Sequence, residues 1–213
     1  MKASIVIALL LEALFVSQSE SVVVGAFVMP HGGIALDPRY FNTTNVTAKA
    51  EAWLVHDSAV QVGKHIEDLK PDTIVVSSPH GIAAPEDFIF YFSPKGFGFS
   101  DTDHCACPPC CYNLSVAMDT SGVEVLVSTL KDKKEKVSYL SAFGPPGKED
   151  MPFPLRWGEV VPLHFAKNAL GHSKVIVLSQ PSRRYTRSVQ MIPELTQLGR
   201  KCSRFCTHSQ RRL

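Results

Sequence analysis

Residues 72–85 read DTIVVSSPHGIAAP, and residues 21–33 read SVVVGAFVMPHGG. Each is an apolar, β-branched run that ends in the same triplet, Pro30-His31-Gly32 in one and Pro79-His80-Gly81 in the other. An unbroken apolar run closed by Pro and Gly predicts a strand buried on both faces. Between the two runs, residues 47–69 (TAKAEAWLVHDSAVQVGKHIEDL) space Trp53, Val60 and Ile66 among charged positions and stop before Pro71. That pattern predicts an amphipathic helix, with His56 and His65 on it. Strand, helix and strand joined by a right-handed crossover make the two strands parallel, so both His turns leave the sheet at one edge. The expected fold class is α/β: a single domain with a mostly parallel central sheet, flanking helices and two His-bearing turns at strand carboxyl ends.

The rest of the chain continues the alternation. DFIFYFS (87–93) predicts a strand, and FGFSDTDHCACPPCCYN (97–113) a loop rich in Gly, Asp, Pro and Cys. YNLSVAMD (112–119) and KVSYLSAF (136–143) read as strands around a helix in SGVEVLVSTLKDKK (121–134), and GPPGKEDMPFP (144–154) reads as a turn-rich connector. RWGEVVPLHFAKNAL (156–170) predicts a helix despite Pro162, KVIVLSQP (174–181) a buried strand, and RSVQMIPELTQLGRKCSRF (187–205) a final helix.

Of 213 residues 45% are hydrophobic and 20% charged, enough apolar content for one substantial core. The formal charge of +2 comes from scattered residues, so nucleic acid is not an expected partner. Lys2, an apolar run from Ile5 to Val16 and the polar stretch that follows have the layout of a secretory signal peptide, although Glu12 interrupts the run. The expected organisation is a leader over 1–20, an α/β domain over 21–205 and a basic tail over 206–213. This implies a secreted or secretory-pathway protein with no stable membrane span after cleavage. Asn42, Asn45 and Asn113 open Asn-x-Ser/Thr triplets and become glycan acceptors in that compartment.

Six cysteines, Cys105, Cys107, Cys110, Cys111, Cys202 and Cys206, fit disulfides in an oxidising compartment. Adjacent Cys110 and Cys111 are not expected both to pair freely with near neighbours. The alternative for the cluster is a zinc knuckle using Cys107, Cys110 and His104, which lacks a second ligand pair.

In an open α/β sheet, ligands collect beyond the carboxyl ends of strands, where His31 and His80 are placed. Neutral imidazole ligates zinc, iron, copper or nickel, and two imidazoles with one carboxylate suit non-haem Fe(II). Glu86 or Asp87 are the nearest carboxylate candidates in sequence. Arg183 and Arg184 follow a strand end and are candidates to bind a substrate carboxylate through forked contacts.

MPHGGI and SSPHGIAAPEDF resemble the two His-bearing turns of the class III extradiol ring-cleavage dioxygenases, B-subunit superfamily, which includes the MEMO-like proteins. WGEVVPLHFA, KVIVLSQPS and a helix ending in LGR are similar to the later part of that family. The resemblance implies Fe(II), or Zn(II) as the alternative, held by His31, His80 and a third ligand, with a small aromatic, catecholic or phenolic substrate and O2 as partners. It leaves a homo-oligomer open. Where the family carries Asp-His-Gly with a catalytic His, this chain has Arg156-Trp157-Gly158, and an indole cannot accept a proton at neutral pH. His164 and His104 are the substitute candidates for acid–base work. Beyond LGR the family continues into a strand bearing the third ligand, whereas here KCSRFCTHSQRRL follows, the pattern of a shortened member. The function classes in play are a ring-cleaving dioxygenase, a non-catalytic metal-binding or interaction protein of the same fold, and a disulfide-stabilised binding module.

Overall fold

The computed structural model describes residues 22–132, 135–143 and 151–208, so the expected leader lies outside the described residues, as does the tail beyond residue 208. Among the described residues seven strands and four α-helices form an α/β arrangement: α1 (Val46–Leu69), β1 (Thr73–Ser78), β2 (Phe88–Tyr91), β3 (Lys95–Ser100), β4 (Tyr112–Ala117), α2 (Thr120–Asp132), β5 (Val137–Leu140), β6 (Phe153–Leu155), α3 (Trp157–Phe165), β7 (Lys174–Ser179) and α4 (Ser188–His208). The main sheet has the order β1-β7-β2-β5, and a smaller sheet has the order β4-β3-β6. In the main sheet β1 and β7 are parallel, β2 and β5 are parallel, and β7 meets β2 antiparallel.

Side chains of a strand alternate between faces, and the main sheet uses both. Phe88 and Phe90 of β2 and Ile176 and Leu178 of β7 face α2 and α4, where Val123, Leu126, Val127, Leu130, Met191 and Leu198 cover them. On the opposite face Ile89, Tyr91, Val175 and Val177 pack against Leu114 and Val116 of β4, Phe153 and Leu155 of β6, and Val160 and Leu163 of α3. Burial on both faces is why KVIVLS reads as a continuous apolar run.

The helices start and stop where local chemistry requires. Asn45 Oδ1 accepts the Ala48 N–H at the start of α1, and Lys70 closes it at φ 47°. Asp119 Oδ1 accepts the Gly122 N–H at the start of α2. Gly63 lets α1 lie against α3, since a Cβ there would sit 2.1 Å from the Phe165 carbonyl oxygen.

Four expectations are corrected. Residues 22–30 form no strand: β1 is an edge strand, and the run lies outside both sheets with Val28 98% exposed. A strand requires a partner ladder as well as apolar side chains, and this run has none. FGFS (97–100), expected as the start of a loop, belongs to β3, and Phe153 and Pro154, at the end of the expected connector, open β6. The cysteine cluster does pair locally. Cys105 bridges Cys110 and Cys107 bridges Cys111, because the chain doubles back across Pro108–Pro109 and opposes the two halves. These bonds use the thiols a zinc knuckle would need. Cys202 packs against the core beside α2, and the Cys206 side chain lies outside the described residues.

Candidate functional site

β1 and β7 end side by side, with Ser78 opposite Ser179, and the chain leaves β1 into Pro79-His80-Gly81. α3 begins at the same edge with Trp157. His31 arrives from segment 22–30, which is not a strand, yet reaches the same place. The His31 and His80 ring centroids are 4.7 Å apart with planes tilted by 31°. Trp157 lies 4.3 Å from the His80 ring and 5.6 Å from the His31 ring. Gly158 permits this approach, because a Cβ there would stand 2.7 Å from His80 Cβ.

Beneath the turn is a buried polar floor. Ser78 Oγ accepts the His80 N–H at 3.1 Å, and Tyr91 Oη accepts the Ile82 N–H at 2.8 Å. Glu159, fully buried in the first turn of α3, accepts the Arg156 N–H through Oε2 at 2.8 Å. Its other oxygen, Oε1, and Ser179 Oγ are buried without a hydrogen-bond partner among the described residues. A Cβ on Gly81 would lie 2.4 Å from Ser179 Oγ, 2.5 Å from Tyr91 Oη and 2.8 Å from Glu159 Oε1. The glycine of the triplet is therefore required by close packing, since the three oxygens occupy the space a Cβ would take. Burial pushes the Glu159 carboxyl above the usual carboxylate range and the Tyr91 phenol above its own.

Burial, then the neighbouring His31 and the positive charge of Arg184 and Arg156, holds His80 below the ordinary imidazole value. A neutral imidazole is the form that ligates a metal. Arg156 approaches the Gly81 carbonyl, with Nη1 at 3.5 Å. Arg184 donates from Nη1 to the Gln180 and Pro181 carbonyls at 2.9 Å, and Gln180 N–H in turn donates to the Ser78 carbonyl at 3.0 Å. Both guanidiniums therefore belong to the edge that carries His80.

The remaining candidates are placed elsewhere. Arg183 is engaged by Glu194, with Nη1 and Nη2 each 2.5 Å from a carboxylate oxygen, so it is not available to a ligand. Glu86 pairs with Lys136 at 2.9 Å and Asp87 accepts from Ser138 Oγ at 2.7 Å, so neither carboxylate is directed to the imidazole pair. His164 sits two turns along α3 from Trp157, edge-on to the Tyr112 ring at 5.1 Å, and burial lowers its proton affinity. It lines a cavity of about 450 Å³ with His56, away from His31 and His80. His104 is an exposed turn residue of the cysteine loop at φ 58°. Neither histidine joins the pair to supply a base. Asn42, Asn45 and Asn113 are all exposed. No helix among the described residues is long and apolar enough to cross a membrane.

Two imidazoles that bind one ion at ~2.0–2.1 Å have ring centroids ~4.5 Å apart at a right angle and ~5.2 Å apart at a tetrahedral angle. The observed separation fits that arrangement. A third His, Cys, Asp or Glu that would complete a metal-binding group is absent among the described residues. The donor set thus fits a two-imidazole site, and the carboxylate of a two-His, one-carboxylate triad is not supplied among the described residues. Sequence reading missed Glu159, Tyr91 and the serines. A Glu three residues after the helix N-cap is a capping signature and was the one available signal for Glu159.

No protein-family model matches the chain, and no curated protein matches it.

Proposed function

We propose that this chain is a secreted or lumenal α/β protein that binds one divalent metal ion through His31 and His80, a non-catalytic relative of the extradiol dioxygenases. The observation that carries the reading is the pair of imidazoles with ring centroids 4.7 Å apart at a strand-end edge. Ring cleavage also needs a group to take the substrate's proton, and the aromatic ring beside the pair is the indole of Trp157, which has no basic lone pair. With two imidazoles and no described carboxylate donor, zinc suits the site better than Fe(II), whose oxygenase sites use a carboxylate as third ligand. The ion, when bound, supplies Lewis acidity. The protein's own residues orient it through the Ser78 and Tyr91 hydrogen bonds to the His80 turn.

Metal content of the purified full chain tests this, measured by mass spectrometry after exposure to Zn(II) and Fe(II). About one ion per chain is expected, falling to background in His31→Ala/His80→Ala. Unchanged content in the double variant sinks the metal reading. Oxygen uptake by the Fe(II)-loaded protein with a catechol panel overturns the non-catalytic half and restores the dioxygenase.

A further inference from the structure

We propose that the outer face of the smaller sheet seats an N-linked glycan, with the first N-acetylglucosamine on Asn113 lying against Phe99 and Phe97. This rests on the reading of the chain as secreted or lumenal and involves neither the His31–His80 edge nor a metal.

β3 and β4 pair antiparallel, with Phe99 opposite Asn113 and Phe97 opposite Ser115. Side chains alternate between faces along each strand, and the inward positions here are Gly96, Gly98, Leu114 and Val116. Phe97, Phe99, Asn113 and Ser115 therefore share the outward face, which Pro154 of β6 continues opposite Phe97. Residues directly opposite on an antiparallel pair have Cβ atoms ~4.5–5.5 Å apart, which puts the Phe99 ring within reach of a sugar on Asn113 Nδ2. Asn42 and Asn45 lack this arrangement, since both precede α1 and neither lies in a strand.

The surface itself calls for a cover. Phe97 and Phe99 are half-exposed and belong to none of the core clusters. Packing demands the glycines between them, because a Cβ on Gly98 would lie 2.2 Å from the Leu155 carbonyl oxygen, but it does not demand the phenylalanines. An exposed apolar patch of this kind marks a contact surface. A pyranose presents a face of C–H bonds to the electron-rich face of an aromatic ring and keeps its hydroxyls in water. Asn113-Leu114-Ser115 is the acceptor triplet that delivers such a sugar to this place covalently. β4 is also an outer strand of its sheet, so a glycan there meets no further strand and blocks pairing at the open edge.

In the transfer, Asn113 Nδ2 bonds to the anomeric carbon of a lipid-pyrophosphate-linked oligosaccharide. The bond from that carbon to the pyrophosphate oxygen breaks, the amide gives up a proton and the lipid pyrophosphate leaves, with no change of oxidation state.

The test is expression of the full chain in cells that attach high-mannose glycans, with glycopeptide mass spectrometry of the secreted protein. Asn113 should be modified. Melting temperatures are then compared for the intact glycan, the glycan trimmed enzymatically to its first N-acetylglucosamine, and Asn113→Gln. The two glycosylated forms should agree and should exceed Asn113→Gln by about 2–4 °C. In a Phe97→Ser/Phe99→Ser background that difference should vanish, whereas Phe99→Tyr should keep it, which separates seating on the rings from an effect of attached sugar on the unfolded chain. Ring-current shifts of the sugar protons in the trimmed protein, read by NMR, give a measure that needs no variant. Their absence, or a stability difference unchanged in the Ser background, overturns the seating. Self-association of the glycosylated protein that is lost with both Ser substitutions assigns the face to a second copy instead. Secreted protein without glycan at Asn113, whatever the state of Asn42 and Asn45, overturns the inference and leaves the secretory reading intact, while a chain retained in the cytosol overturns both.

Discussion

Replacing Glu159 by Gln and by Ala gives opposite expectations depending on whether its carboxyl is neutral. The side chain is fully buried, faces Tyr91 Oη and Ser179 Oγ across Gly81, and has no ion-pair partner among the described residues. Burial raises its proton affinity, so the folded protein holds the neutral acid to higher pH than the unfolded chain does. Below the unfolded value both states are protonated and the stabilisation is complete. As pH rises from the unfolded towards the folded value, only the unfolded chain releases its proton, and stability falls by up to ~1.4 kcal/mol per pH unit of that window. Glu159→Gln is neutral, keeps an acceptor for the Arg156 N–H and offers an N–H donor to the two hydroxyls. Its cost should stay below ~1 kcal/mol, with the decline on raising pH abolished. Glu159→Ala loses the helix cap, ~1 kcal/mol. It also removes the side-chain hydrogen bond with Ser78 and leaves a cavity in the buried floor, together ~1–3 kcal/mol. The total of about 3 kcal/mol lowers the melting temperature by roughly 6–12 °C in a chain of this size. Denaturant unfolding from pH 4 to 9 for the three proteins checks this. If Gln is as damaging as Ala, and the wild-type protein becomes more stable as pH rises through the window, Glu159 is ionised and the reasoning fails.

Gly81→Ala puts a methyl among three buried oxygens at 2.4–2.8 Å and should cost ~2 kcal/mol or more. Calorimetry and zinc content should fall together, since the same turn carries His80. Gly63→Ala places a methyl 2.1 Å from the Phe165 carbonyl oxygen and should separate α1 from α3. A loss of ~1–3 kcal/mol is expected in denaturant unfolding, with zinc content of the remaining folded protein unchanged. Reducing Cys105–Cys110 and Cys107–Cys111 opens two very short loops, worth at most ~2 kcal/mol each on the chain-entropy account. The melting temperature should drop by several degrees under reductant with metal content retained, because the loop is not part of the His31–His80 edge.

Where each side chain's burial matched its polarity, the fold was legible. KVIVLS and FIFY are apolar because both of their faces are covered, and α1 alternates because one of its faces is not. β3 inverts the rule. Gly96 and Gly98 point inward, where a Cβ would strike Leu155, while Phe97 and Phe99 are 48% and 54% exposed. A strand with glycine inside and aromatics outside has the composition of a turn, which is why FGFS (97–100) reads as the start of a loop. Glu159 fails for the same reason in reverse: a charge in a helix reads as solvent-facing, but here neighbouring hydroxyls make a neutral acid acceptable in the core. The His31–His80 pairing was legible from the repeated triplet, although the two-strand argument used to reach it was wrong in its first strand.

That error has a physical consequence for the site. The His80 turn hangs on Ser78, Tyr91 and the packing of Gly81, whereas His31 is exposed and none of the backbone N–H groups of residues 22–31 donates a hydrogen bond within the described residues. Besides its ring contacts with His80 and Trp157, His31 is held through the chain that follows, where Gly33 fits against the Asp101 carbonyl. A shared metal ion would therefore do most of its ordering on one side. At a zinc concentration 100 times Kd, binding to the folded state alone adds ~2.7 kcal/mol. The melting temperature should rise by roughly 5–10 °C in this size range. Amide exchange over residues 22–32 should slow on zinc addition, while exchange over 78–82, already hydrogen-bonded, should change little. Equal protection of both segments would show that the two turns are equally preformed, and no protection of 22–32 would show that His31 is not a ligand.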